Sequence, residues 1–224
     1  MTLNTNCARR WLDSSCMFIT FEGLDFSGKS TQVRLLSDRL SHEDFNVLVL
    51  REPGGTEIGE KIRKILLDKG SAELTDVSEL FLFSASRSQL VDEVIRPALA
   101  GGMVVLCDRY YDSTTAYQGW ARGIPLETIQ AINQCASGGL APHLTFFLDI
   151  PVNEVERRVQ RAKSNKDRME SNGRDFYEKA RNGYLDLASR EKRFRVIDSM
   201  RTVDEVHEAV WKEVEKLLPN VVKH

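Results

Sequence analysis

Residues 23–30 read Gly23-Leu24-Asp25-Phe26-Ser27-Gly28-Lys29-Ser30, which fits the pattern G-x-x-x-x-G-K-[ST] in full. Each fixed residue type has a physical task. The glycines let the backbone curl until successive N–H groups face inward and cradle phosphate oxygens. A helix opening at Lys29 adds the positive end of its dipole at the same point. The Lys29 ammonium can reach the β- and γ-phosphates of a nucleoside triphosphate, and the Ser30 hydroxyl can ligate Mg²⁺. The stretch from Gly23 to Thr31 is therefore the expected ATP-binding loop. The bland alternative is a glycine-rich turn with an exposed lysine. An apolar strand before the pattern and a helical period after it argue against that alternative.

Three further clusters ask for a second anionic substrate. Arg51-Glu-Pro-Gly-Gly55 and Asp108-Arg109-Tyr110 each follow an apolar run. Between Arg157 and Arg174 stand seven basic residues (Arg157, Arg158, Arg161, Lys163, Lys166, Arg168 and Arg174) against two acidic ones (Asp167 and Glu170). Singly, each cluster is as well explained by local ion pairs or a solvated face. Together, expected on one rim beside a phosphate loop, they point to phosphate handling. Asp108 is the expected partner of Ser30 in holding Mg²⁺, with Asp149 the rival. A guanine-nucleotide switch is excluded because Asn165-Lys-Asp-Arg168 ends in Arg where N-K-x-D needs Asp. The only D-x-x-G, Asp25 to Gly28, lies inside the phosphate loop.

The elements that must position these residues alternate along the chain. Short, nearly continuous apolar runs at Met17–Glu22, Asn46–Leu50, Met103–Cys107, His143–Ile150 and Phe194–Ile197 read as strands buried on both faces. Between them lie segments of helical period. Val33, Leu36 and Leu40 share a face over Lys29–Ser41, and Ile58, Ile62, Ile65 and Leu66 share one after an expected Thr56 cap. A long helix is predicted over Val77–Leu99, kinked at Pro97. The last helix carries Val203, Val206, Val210, Val214 and Leu217 behind a capping box, Thr202 to Glu205. Alternation of this kind implies an α/β domain of three layers, a five-stranded parallel sheet with helices on both faces. Active residues should gather at the C-terminal ends of the strands.

Composition sets the outer limits. The chain has 224 residues, 31 Lys+Arg against 33 Asp+Glu, and a net charge of −2. A broad basic coat for nucleic acid is not expected from that balance. The longest apolar run, Met103–Cys107, is far short of the roughly 18 residues that a membrane helix needs. The four cysteines (Cys7, Cys16, Cys107 and Cys135) form no C-x-x-C pair and read as reduced thiols of a cytoplasmic protein. Residues 1–16 are polar and are expected to be an extension outside a single domain over 17–224.

The chain resembles the thymidylate kinases, which phosphorylate dTMP, from Met17 to the last helix. The resemblance rests on Phe-Glu-Gly-Leu-Asp25 with its phosphate loop, Arg51-Glu-Pro-Gly-Gly55, Phe83-Ser-Ala-Ser-Arg87, Asp108-Arg109-Tyr110 and Ser113-Thr-Thr-Ala-Tyr-Gln-Gly119. It implies the P-loop kinase fold with a mobile basic lid, here about 157–174, and a homodimer built on helix packing. It also implies that Phe83 stacks on thymine while Arg87 hydrogen-bonds an exocyclic oxygen of the base. Arg51 and Arg109 would clamp the dTMP phosphate, and Asp25 would contact the sugar and orient Arg51. Ser113 and Thr114 would help select the base; Tyr117 and Gln118 would line the sugar and base pocket. Phe26 stands where some members carry an arginine, so this chain resembles the bacterial subgroup whose catalytic arginine comes from the lid, with Arg158, Arg161 and Arg168 as candidates. Thr115 departs from the Gln found in many bacterial members. Two alternatives stay open from the residues alone: another nucleoside or nucleotide kinase, or an ATP-binding regulator that transfers nothing.

Overall fold

The computed structural model describes residues 16–162, 168–169 and 172–218. The expectation of an extension over residues 1–16 falls, Cys16 excepted, outside the described residues, as do Lys163, Lys166, Asp167 and Glu170 of the expected lid.

Five parallel strands, β1 (Met17–Glu22), β2 (Val47–Arg51), β3 (Val104–Asp108), β4 (Leu144–Asp149) and β5 (Phe194–Asp198), pair in the order β2-β3-β1-β4-β5. Each matches a predicted run to within a residue or two, but burial on both faces holds only for β1, β3 and β4; at the sheet edges β2 and β5 leave Val49 and Val196 about half exposed, because one flank of an edge strand has no neighbour to cover it. Alternate side chains divide the core. Ile19 and Phe21 of β1 face α1 (Lys29–His42) and α9 (Val203–Glu215), whereas Phe18 packs with Val105 of β3 and Leu90 and Ile95 beyond the opposite face. A third cluster joins Phe147 of β4 to Tyr184 and Phe176 of α8 (Arg174–Arg190). Helices thus cover both faces, as the alternation implied.

The remaining helices are α2 (Glu57–Leu67), α3 (Asp76–Leu90), α4 (Arg96–Ala100), α5 (Tyr111–Thr114), α6 (Leu126–Ser137) and α7 (Val152–Ala162). Thr56 caps α2 by accepting from the Gly59 N–H, and the Thr202–Glu205 capping box of α9 is present in both halves. The long helix expected over Val77–Leu99 runs from Asp76 to Ala100, but its irregularity precedes Pro97. A π-helical stretch, Val91–Ile95, separates α3 from α4. Proline offers no N–H and its ring crowds the carbonyl four residues back, here Glu93, so the ladder widens one turn early.

Two helical faces behave differently from their sequence pattern. Ile58 and Ile65 of α2 are 49% and 47% exposed, and only Leu66 of that expected face is fully buried. On α9, Val206, Val210 and Val214 are buried, but Val203 in the first turn and Leu217 past the end are exposed. The expected lid is also not one loop: 157–162 belong to α7 and Arg174 opens α8.

Candidate active site

The register brings the site residues to one rim. Arg51 pairs with Asp108 across β2 and β3, and Asp108 pairs with Phe21 of β1, just before the phosphate loop. Between β1 and α1 the loop makes a tight turn that needs glycine at both ends. Gly23 has φ 137°, and a side chain there would meet the Leu148 carbonyl oxygen at 2.6 Å; Gly28 has φ 98° as the cap of α1. The Lys29 ammonium, buried under this turn, donates to the carbonyls of Leu24 (2.7 Å) and Gly23 (3.2 Å) and to Ser27 Oγ (3.5 Å). Its three hydrogens are thus met by the loop itself. Burial, seconded by the Arg109 charge, lowers Lys29 to about 8 despite Asp108, Asp25 and Glu22 nearby.

Ser30 Oγ donates to Asp108 Oδ2 at 2.6 Å. Two hard oxygens side by side, at the foot of a phosphate loop, fit a hard divalent cation that would arrive on nucleotide phosphates. The described residues contain no group of three or more His, Cys, Asp or Glu that could hold a metal by themselves. The rival Asp149 is spent on Arg181, which grips both its oxygens at 2.7 and 2.9 Å.

Arg109 sits in the left-handed region, φ 71°, which turns its side chain back over the phosphate loop. Its guanidinium pairs with Asp25 (2.5 Å) and donates to the Gly23 carbonyl (2.9 Å), Ser113 Oγ (3.2 Å) and the Tyr184 hydroxyl (3.3 Å). Burial acts to raise the Asp25 carboxyl, but Arg109 and Lys29 outweigh it and hold the group below its ordinary value. Asp25 was expected to orient Arg51. It orients Arg109 instead, because Arg51 lies over the start of α2, where its Nη2 meets both Glu60 oxygens at 3.1 and 3.0 Å. That pair is nearly half exposed, 47% and 42%, and an exposed pair is worth about 1 kcal/mol or less. An arriving phosphate can therefore recruit Arg51 at small cost.

Arg87 contrasts sharply. It is 1% exposed, and its Nε and Nη2 both hold Glu52 Oε2, at 2.8 and 2.7 Å. Nη2 also donates to Thr114 Oγ1 (3.1 Å) and Nη1 to Asn133 Oδ1 (3.3 Å). Of five guanidinium hydrogens, this leaves one on Nη1. Phe83, one turn before Arg87 on α3, lines the same cavity. Thr114 thus acts on Arg87, and Ser113 on Arg109 and Glu22, rather than standing free for a base. Tyr117 reaches Arg109 with its hydroxyl at 3.4 Å. Gln118 lines the cavity but gives its amide to Glu79 at 2.8 Å.

The three lid candidates separate. Arg158 is built into the loop's support: it donates to the carbonyls of Phe26 (3.0 Å) and Ser199 (2.9 Å) and to Glu154 (2.8 Å). Arg168 is tied to Glu79 (2.5 Å) and to the Leu66 carbonyl at the end of α2 (2.8 Å). Arg161 is the exposed one of the three, on the last turn of α7. Met169, next to Arg168 in the chain, is buried and lines the cavity.

One cavity of about 550 Å³, an ordinary size for a small-molecule site, is lined at once by Lys29, Ser30, Arg51, Arg109, Phe83 and Arg87. Sequence reading missed Arg63 and Glu52, which line it too, and Glu79, a fully buried carboxylate that gathers Gln118, Arg122 and Arg168. Arg63 stands in the second half of α2, where nothing in its neighbours' types distinguishes it from a solvated arginine.

A sequence model described as thymidylate kinase matches residues 21–210. The chain belongs to the thymidylate kinase family. Among curated thymidylate kinases, that of Kosmotoga olearia is 46% identical over 198 residues, spanning 88% of this chain and 94% of its own. That of Chlorobium luteolum is 48% identical over 205 residues, spanning 88% and 95%. The crystal structure of thymidylate kinase from Ehrlichia chaffeensis superposes with a TM-score of 0.71 at 36% identity, covering 89% of this chain and 99% of that one. The five-stranded parallel sheet with its helices is the P-loop kinase fold that the resemblance implied, and the three-layer α/β arrangement that the alternating strands and helices implied.

Proposed function

We infer that this chain transfers the γ-phosphoryl group of ATP to dTMP, giving ADP and dTDP. The observation that carries it is the single cavity shared by the phosphate loop and the Phe83–Arg87 pair, with Arg51 and Arg109 on its walls. An oxygen of the dTMP phosphate, already anionic, attacks the γ-phosphorus as the bond to the β–γ bridging oxygen breaks. No general base is required, so positioning and charge neutralisation do the catalysis. Lys29 exchanges its loop carbonyls for β- and γ-oxygens. Arg109, aimed by Asp25, and Arg51, released from Glu60, hold the acceptor phosphate. Mg²⁺, held by Ser30 and Asp108 when bound with ATP, supplies neutralisation of the phosphate charge. Arg161, the exposed candidate, is the lid arginine best placed to turn inward. The base lies on Phe83 and takes the one Arg87 hydrogen left over, so a carbonyl oxygen is preferred there to an amino group.

A coupled assay comparing dTMP with AMP, UMP and thymidine tests the reading; dTMP should be preferred strongly, and equal rates for AMP would sink it. Phe83→Ala should raise the Michaelis constant for dTMP about tenfold while kcat changes less, since stacking contributes roughly 1–3 kcal/mol per base. An unchanged constant would remove Phe83 from the base pocket.

The exposed apolar side chains Ile58 and Ile65 of α2 and Val77 and Phe81 of α3, the last two 53% and 56% exposed, form the face of a homodimer. Sedimentation should show a dimer that Phe81→Glu converts to monomer; a monomeric parent would refute the interface. A cytoplasmic location agrees with Cys16, Cys107 and Cys135 being free thiols.

A further inference from the structure

Glu22 ends β1, the central strand, and is fully buried, yet the transfer chemistry assigns it no task. A carboxylate in that position is expensive unless its oxygens are filled. They are. Oε1 accepts from the Tyr110 backbone N–H at 2.7 Å, and Oε2 accepts from Ser113 Oγ at 2.6 Å and the Tyr184 hydroxyl at 2.9 Å. All three donors touch Arg109. Tyr110 N–H belongs to the peptide that follows its left-handed φ, and the Arg109 N–H on the other side is held by the Phe21 carbonyl at 2.9 Å. Ser113 and Tyr184 are the two hydroxyls that meet Arg109 Nη1.

We propose that Glu22 is a positioning residue for the acceptor phosphate, acting through Arg109: its carboxylate pins the strained backbone turn and orients both hydroxyls. A hydroxyl has one hydrogen. With the Ser113 and Tyr184 hydrogens drawn to Glu22, directly or by relay through the 2.8 Å Ser113–Tyr184 contact, only lone pairs face the guanidinium. Arg109 then has acceptors on that side and no competing donor, and with Nη2 on Asp25 and Tyr117 the hydrogen left over is that on Nε, whose direction the fixed guanidinium sets. Burial, then Asp112, pushes the Glu22 carboxyl up to about 7, and Ser113, Arg109 and the Tyr110 N–H are the groups that oppose the rise. An amide in its place has one acceptor oxygen and an NH2 group. Either Tyr110 N–H loses its partner or a hydroxyl must turn its hydrogen on Arg109.

The inference rests on Arg109 holding the dTMP phosphate, and four proteins separate the two claims: wild type, Glu22→Gln, Arg109→Ala and the double variant. Calorimetric titration with dTMP should show Glu22→Gln binding about tenfold more weakly, the loss of roughly one charge-assisted bond. The Michaelis constant for ATP should be unchanged. In the Arg109→Ala background the same change should cost less than about twofold, because the group it positions is gone. Arg109→Ala binding dTMP as wild type does would overturn both claims. Weakened Arg109→Ala beside an unaffected Glu22→Gln, or a full tenfold loss persisting in the double variant, would overturn the role of Glu22 alone. If Glu22→Gln fails to fold, Tyr184→Phe decides. It removes one hydroxyl and should weaken dTMP about threefold with ATP unaffected; no change in dTMP binding would sink the proposal.

Discussion

Lys29→Ala should lower kcat by about two to three orders of magnitude, the scale expected for removing a preorganised charge aimed at developing charge in a transition state. The lysine is already positioned in the substrate-free protein, with its three hydrogens on Gly23, Leu24 and Ser27. Moving them to phosphate oxygens needs little reorganisation. Binding of dTMP should change little, because Phe83 and Arg87 belong to α3 and keep their partners. Rapid-quench measurement of ADP formation beside dTMP titration separates the effects; a loss confined to dTMP binding would refute the assignment. Lys29 also predicts a pH limb. Burial lowers it to about 8, so the free protein loses the ammonium as pH rises through that value. The kcat/KM for ATP should fall across that window, whereas kcat under saturating ATP should fall later, because bound phosphates favour the charged form.

Arg87→Ala should be the most damaging change to stability. It leaves Glu52 buried without its cation, and Glu52 Oε1 already has no partner among the described residues. Breaking one side of a buried pair costs about 3–5 kcal/mol, against at most about 1 for breaking Arg51–Glu60 at the surface. Glu52 is already raised, by burial ahead of the opposing pull of Arg87. Without Arg87 the folded protein would prefer Glu52 protonated. A carboxyl raised in the folded state favours folding at low pH and disfavours it as pH rises. Chemical denaturation should therefore show the Arg87→Ala penalty smaller near pH 5 than near pH 8. A penalty independent of pH would mean that water or another cation reaches Glu52. Binding of dTMP should fall as well, because Thr114 and Asn133 lose the group that they orient.

The central strands β1, β3 and β4 were legible because double burial leaves them apolar without interruption, β2 and β5 because their residues are mostly apolar although partly exposed, and the phosphate loop because its glycines and lysine have no cheap substitutes. The faces of helices were less so. Ile58, Ile65 and Leu66 show that α2 is amphipathic, but periodicity does not say whether the same chain covers the face, and Ile58 and Ile65 prove exposed. Pairing across the rim was the least legible part. Asp25 stands 26 residues from Arg51 and 84 from Arg109, yet meets the second, because only the positive φ at Arg109 decides where that side chain turns. Glu22 and Glu79 escaped notice for a related reason: a carboxylate at a strand end or on a helix reads as solvent-facing until its donors are seen.

The segment after Asp108 carries one more consequence. Thr115–Ala121 is π-helical, with the four consecutive residues Ala116 to Gly119 buried and Tyr117 and Gln118 both on the cavity wall. A wider turn of this kind accommodates a residue that a regular helix of equal rise would not. Losing one residue there would let the backbone relax to ordinary helix, so the flanking turns would keep their phase but Tyr117 and Gln118 could no longer both reach the cavity wall. Single-residue deletions, harmless in most connecting segments, should be lethal in this one, which makes length itself, apart from composition, part of how the nucleotide is recognised.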